Sequence, residues 1–193
     1  MIDQVLFKDL EACDPVDVVY RTGCSFEASK GIYKIKVWGR SYAVDPAREE
    51  IRTVQSESHG EYMHLFLLHY LMRALDISLA EVWVSEKDIP SGAAFFRGPH
   101  TLPTHLVVQA FGNNLEKLAV RCEALGGAPL NMADRAFRFE ITPRIPVAVL
   151  YWQGDEDFPA ESRLLFDRTI SRHLPLDIVY ALAVQVCRTI AGQ

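Results

Sequence analysis

The densest chemistry in this 193-residue chain lies in one short block, Trp152-Gln153-Gly154-Asp155-Glu156-Asp157-Phe158-Pro159-Ala160. Three adjacent carboxylates repel one another, so they persist only if solvated, paired with arginine or bound to a cation. The apolar run before the block predicts a strand, and Phe158-Pro159 predicts the start of a helix. Acidic residues there would also complement the positive end of a helix dipole, which accounts for the block without a ligand. Asp167 follows ten residues after Asp157. On a helix running from Pro159 it would share an apolar stripe with Ala160, Leu164, Ser171 and Leu174, where a carboxylate is costly unless partnered. It could equally cap a shorter helix starting at Arg168. The third group is His69, embedded in Tyr62-Met63-His64-Leu65-Phe66-Leu67-Leu68-His69-Tyr70-Leu71. Its ring must hydrogen-bond within the fold, either as a satisfied core histidine or as a catalytic base. His64 lies about 140° away around the helix, so the two histidines cannot chelate one metal.

Aromatic residues complete the set. Trp152 and Phe158 flank the acidic block, and Phe95 and Phe96 follow the loop Pro90-Ser91-Gly92. Convergence of these rings with the carboxylates would form an apolar pocket with a few polar groups, a common form of small-ligand site; the same rings could simply be core. The candidate pocket is therefore His69, Trp152, Asp155, Glu156, Phe158 and Asp167. No nucleophile elbow, phosphate-binding loop or dinucleotide fingerprint occurs. Cys24, between Gly23 and Ser25, is the one thiol placed in a predicted loop. With Cys13, Cys122 and Cys187 it makes no Cys-x-x-Cys pair, so neither a metal nor another cofactor is expected.

The elements that must position these residues follow from periodicity. Val5, Leu6, Leu10 and Cys13 share a helical spacing over Asp3 to Cys13, and Asp14-Pro15 opens a second helix that stops at Gly23. Tyr33 to Val37 and Ser41 to Val44 read as strands joined at Gly39-Arg40, with Glu50 to Val54 as a third. Glu61 to Leu75 is apolar around almost its whole circumference and predicts a central helix. Val82 to Val84 predicts a short strand. Pro103 to Phe111 and Asn114 to Ala124 predict helices, the latter closed by Gly126-Gly127. Arg135 to Ile141 and Ile145 to Trp152 predict paired strands, and Phe158 to Leu174 and Leu176 to Ile190 predict two closing helices. This order specifies an α+β fold: an antiparallel sheet with helices packed on it, in one domain spanning 1–193.

Composition narrows the functional classes. Apolar residues make up 49% and charged residues 23%, enough to build a core and too ordinary for disorder. The net charge of −5 and the scattered arginines supply no concentrated positive field for nucleic acid. No run approaches the roughly 20 apolar residues that cross a bilayer. Met1-Ile2-Asp3-Gln4 has no basic flank or apolar block, so a cytoplasmic location is expected.

Leu68-His69-Tyr70-Leu71, Leu125-Gly126-Gly127 with Asp134, and above all the Trp152–Ala160 block followed by Leu165-Phe166-Asp167 together resemble the DUF3786 family of bacterial and archaeal proteins. The resemblance runs from about Gly31 to Ile190. It implies no known activity. Some members carry an added cysteine-rich iron–sulfur segment, for which Cys13 and Cys24 are too few and too far apart, and Ser91-Gly92 stands where the family has Gly-Gly. Two functional readings follow. The first is a non-catalytic binding or accessory module for a protein partner or small ligand, favoured because no catalytic pattern emerges and because relatives are joined to electron-transfer modules. The alternative is an enzyme of unrecognised type with a carboxylate and histidine pocket. The oligomeric state is left open.

Overall fold

The computed structural model describes residues 4–53 and 60–193; Asp3 and Val54, assigned above to element ends, lie outside these. The chain opens with two short helices, α1 (Gln4–Glu11) and α2 (Pro15–Thr22). Asp14 caps α2 by accepting the Val16 N–H at 3.0 Å. Gly23 closes it in the left-handed region at φ 72°, where a side chain would be strained. Four strands follow as an antiparallel sheet in sequential order: β1 (Ser25–Glu27), β2 (Ile32–Val37), β3 (Arg40–Asp45) and β4 (Glu50–Thr53). Tyr33, Ile35, Val37, Tyr42 and Val44 point to the core, the alternation expected of a sheet with one dry face.

Val37 pairs with Arg40, so the β2–β3 turn is Trp38-Gly39, one residue earlier than the expected Gly39-Arg40. Both turn residues have positive φ, 45° and 75°. The tight two-residue hairpin requires that conformation, and a tryptophan tolerates it here because tertiary bonds hold it. The Trp38 amide donates to the Ile141 carbonyl at 2.8 Å and its indole N–H to the Leu125 carbonyl at 3.0 Å. The turn thereby ties the first sheet to the second.

Helix α3 (Glu61–Arg73) buries Met63, Phe66, Leu67, Leu68, Tyr70 and Leu71, as its apolar circumference demands. It packs on α1, α2 and the C-terminal helix α8 (Leu176–Ala191). Arg21 anchors its end by donating to the Ala74 carbonyl at 2.6 Å. After α3 come β5 (Trp83–Val84), the single turn α4 (Gly92–Phe95), a 3-10 turn at Gly98–His100, α5 (His105–Phe111) and α6 (Leu115–Ala124). The second sheet has the order β5-β9-β8-β7-β6 and is antiparallel throughout, with β6 (Ala128–Pro129), β7 (Arg135–Thr142), β8 (Ile145–Trp152) and β9 (Glu161–Asp167). A short α7 (Ile170–His173) leads into α8. The fold is α+β, with two sheets among the described residues where one was expected. Among those residues no helix is long and apolar enough to cross a membrane.

One assignment is overturned. Phe158 to Leu174 is not a helix: β9 occupies its centre, and only Ile170–His173 is helical. Ser162, Leu164 and Phe166 face the main core, while Leu165 joins Ala136, Ala148, Leu150 and Trp152 in a second apolar cluster on the other side of the sheet. Glu161 and Arg163 on the outer face are exposed, and only Leu164-Leu165-Phe166 is apolar throughout, a run too short for its period to separate a strand from a helix.

Candidate functional site

Residues 153–160 form the loop of the β8–β9 hairpin, so the acidic block starts no helix and complements no helix dipole. Its shape is set by main-chain pairing to its own first carboxylate. Asp155 Oδ1 accepts the N–H groups of Asp157 at 2.9 Å and Phe158 at 2.8 Å, and the Asp155 N–H donates to the Phe158 carbonyl at 2.8 Å. This is an Asp-directed turn. Gly154 sits where a Cβ would lie 2.5 Å from the Ala160 nitrogen, so only glycine lets the two arms of the loop approach.

The turn is also held from outside. The Asn113 side chain, just after α5, accepts the Gly154 N–H at 2.9 Å and donates to the Gly154 carbonyl at 3.0 Å. The Gln153 amide donates to the Asn113 carbonyl at 3.1 Å. Asp134, preceding β7, accepts the Gln153 N–H at 2.8 Å. On this rigid base Phe158 is 72% exposed. Asp155, Glu156 and Asp157 are exposed beside it, and among the described residues no ion pair neutralises them. Trp152 is half-buried under the Arg163 guanidinium, 5.4 Å from its ring, and Arg163 pairs with Glu161 at 2.6 Å.

The other two expected members lie elsewhere. Asp167 ends β9, whereas the turn precedes its first residue, a separation of roughly 20 Å at the usual strand rise. Its carboxylate is buried and fully engaged. It accepts the N–H groups of Ala80 at 3.0 Å, Glu81 at 2.7 Å and Thr169 at 2.9 Å, and the Thr169 hydroxyl at 2.7 Å. Burial pushes this carboxyl up, and the hydrogen bonds from Thr169, Ala80 and Glu81 outweigh it, leaving a net lowering. Asp167 is thus a buried acid at a strand end that clamps the loop entering β5. His69 is half-buried on α3, with one ring nitrogen buried and unpartnered. Burial, then Arg73, pushes its pKa down, against Asp177 on α8. The structure therefore brings Trp152, Asp155, Glu156 and Phe158 together in one hairpin end and separates Asp167 from them. Phe96 is buried in the main core, and Phe95 stacks on His100 at 4.5 Å.

A model of the family described as Domain of unknown function (DUF3786) matches residues 14–189. The chain belongs to this family. The match begins before Gly31 and so takes in α2 and the first hairpin as well. Comparison with curated proteins and with solved structures finds no match.

One polar grouping of this DUF3786 chain was not legible in the sequence. Arg144, in the β7–β8 turn, donates to the carbonyls of Arg21 at 2.6 Å and Ile77 at 3.1 Å and pairs with Asp76. Beside it His173 is 1% exposed; its Nδ1 accepts the Leu75 N–H at 3.2 Å and its Nε2 has no partner. Burial, then Arg144 and Arg172, pushes His173 down to about 4, opposed by Asp167. The only sequence signal for this grouping was the basic cluster Arg168, Arg172 and His173. Asn113, by contrast, was detectable: Gly112-Asn113-Asn114 offers two side chains that favour local backbone bonds, and Asn114 does cap α6. Among the described residues no group of three His, Cys, Asp or Glu side chains is placed to hold a metal ion.

Proposed function

We propose that this protein is a binding module of the cytoplasm that docks a protein partner through the β8–β9 turn. The carrying observation is Phe158, 72% exposed on a turn fixed by Asp155 within and by Asn113 and Asp134 from outside. An isolated exposed apolar residue is ordinary. One carried on a fixed main chain is a different matter, because the backbone has little conformational freedom left to lose when the ring inserts into a pocket. The three flanking carboxylates specify the partner's chemistry: an apolar socket large enough for a phenyl ring, rimmed by lysine or arginine. Those charges would steer the encounter and make its rate salt-dependent. All four cysteines are unpaired and three are buried, which suits a reducing compartment.

The experiment is affinity purification from the native host with wild-type protein and Phe158→Ala side by side. A stoichiometric partner should be retained by the wild type and lost from the variant. Loss of an anchor residue of this kind costs about 2 kcal/mol or more in binding, roughly a 30-fold drop in affinity. Equal recovery of the same partner on both proteins refutes the proposal, as does repeated recovery of none on the wild type.

A further inference from the structure

The second sheet is incomplete along one side of β9. Strand β5 is two residues long, pairing Trp83 with Asp167 and Val84 with Phe166, and the chain then leaves the sheet. The Arg168 amide donates to the Val82 carbonyl at 2.9 Å, which fixes the phase of the ladder. Hydrogen-bonded pairs recur at every second residue of an antiparallel ladder. Phe166, Leu164 and Ser162 therefore turn both main-chain groups toward the β5 side, and Arg163 and Leu165 turn theirs toward β8. Past Val84 no strand receives the groups of Leu164 and Ser162, and among the described residues no main-chain bond from the loops reaches them. Both residues are buried, at 1% and 3% exposure, and the buried Ser162 hydroxyl also lacks a partner.

Ser162 and Leu164 line a cleft of about 240 Å³ together with Ser85–Lys87 and with Thr101, Leu102 and Thr104. Buried main-chain groups are nearly always paired, and a polar chain lying in the cleft would supply partners that no protein group among the described residues supplies. The donors and acceptors come in pairs two residues apart along an extended chain, roughly 7 Å, which is the repeat of another extended chain. The rim favours neither anion nor cation: it carries Lys87 and Arg163 together with Glu86 and Glu161, and Arg163 is already paired with Glu161.

We propose that this cleft binds the main chain of an extended peptide, which adds a short strand to β9 in continuation of β5. The site stands on the open edge and on Ser162, independently of the Phe158 turn. Its specificity is for backbone rather than for side-chain identity, because the unpaired groups are the backbone's own.

The test is an amide-resolved NMR titration of the full, isotope-labelled chain with a pool of capped tetrapeptides randomised at every position and free of proline. The amide resonances of Ser162 and Leu164 should shift, and their hydrogen exchange should slow at least tenfold. A matched pool with every amide N-methylated should bind at least tenfold more weakly. The proposal is overturned if neither amide responds up to about 10 mM pool, the weak limit for a peptide site. It is equally overturned if the two pools bind alike, or if ordered water is the cleft's only occupant.

Discussion

Acidification from pH 7 to pH 4 should withdraw about 3 kcal/mol of stability through a single side chain, His173. The ring is 1% exposed, its Nδ1 is committed to the Leu75 N–H, and burial with Arg144 and Arg172 holds its pKa at about 4 against an ordinary 6.5. In the unfolded chain the ring takes up a proton near pH 6.5; in the folded protein it resists until about pH 4. Between those values the unfolded state binds more protons, so stability rises with pH across the window. The contribution is complete above pH 6.5, declines as pH falls, and is spent below about 4. At about 1.4 kcal/mol per pH unit the gap amounts to about 3 kcal/mol. His173→Asn isolates the effect, since its amide oxygen can accept the Leu75 N–H and does not titrate. Urea denaturation followed by tryptophan fluorescence at pH 7, 6, 5 and 4 supplies the unfolding free energies. The variant should be less stable at pH 7, where it leaves a small cavity. Between pH 7 and 4 the wild type should lose about 3 kcal/mol more than the variant does. His64 and His69, also pushed down by burial, titrate in both proteins and cancel in that difference. Parallel pH profiles for the two proteins would refute the argument.

Two further outcomes test the anchors of the candidate site and its strand. Asp167→Ala leaves the N–H groups of Ala80 and Glu81 without their acceptor, at a cost of about 3 kcal/mol, which for a chain of this size lowers Tm on the order of 10 °C. A Tm within a degree or two of wild type in a calorimetric scan would show that the clamp is dispensable. Gly154→Ala drives a Cβ to within 2.5 Å of the Ala160 nitrogen and 3.1 Å of the Phe158 carbonyl oxygen, so the turn must open. The expected cost is about 1–3 kcal/mol, with faster hydrogen exchange at the Asp157 and Phe158 amides; unchanged exchange there would contradict the rigid turn.

Most of the architecture was legible because its signals were local. The Asp14 cap, the Gly23 stop and the apolar circumference of α3 each depend on residues within one or two helical turns, and each is realised. The β2–β3 turn falls at Trp38-Gly39, one residue before the expected Gly39-Arg40, because the bonds holding a tryptophan at positive φ come from Leu125 and Ile141, far along the chain. The same holds for Asp167, whose donors are Ala80 and Glu81, 87 and 86 positions away. Its burial was one of the two readings open from the sequence; its partners were beyond reach of any spacing argument. The acidic block is distinctive in the sequence, but the helix expected after it gives it a dipole-capping role that a hairpin loop does not have.

That misassigned helix hid more than a strand. A helix pairs its own main-chain groups through its interior and exposes orphans only at its ends. A strand leaves every second residue's N–H and C=O dependent on a neighbour at each side. Read as helical, Ser162 and Leu164 are self-sufficient. Read as β9, between a full-length β8 and a two-residue β5, the same two residues form an open edge inside the protein. Whether this segment carries a binding site thus turns on its secondary structure. The decisive fact is the early departure of β5 at Val84, fixed by the loop around Ser85, where the Ser85 N–H and hydroxyl both bond Asp88 and turn the chain away from the sheet. Had that turn fallen four residues later, β5 would cover Ser162 and no cleft would exist.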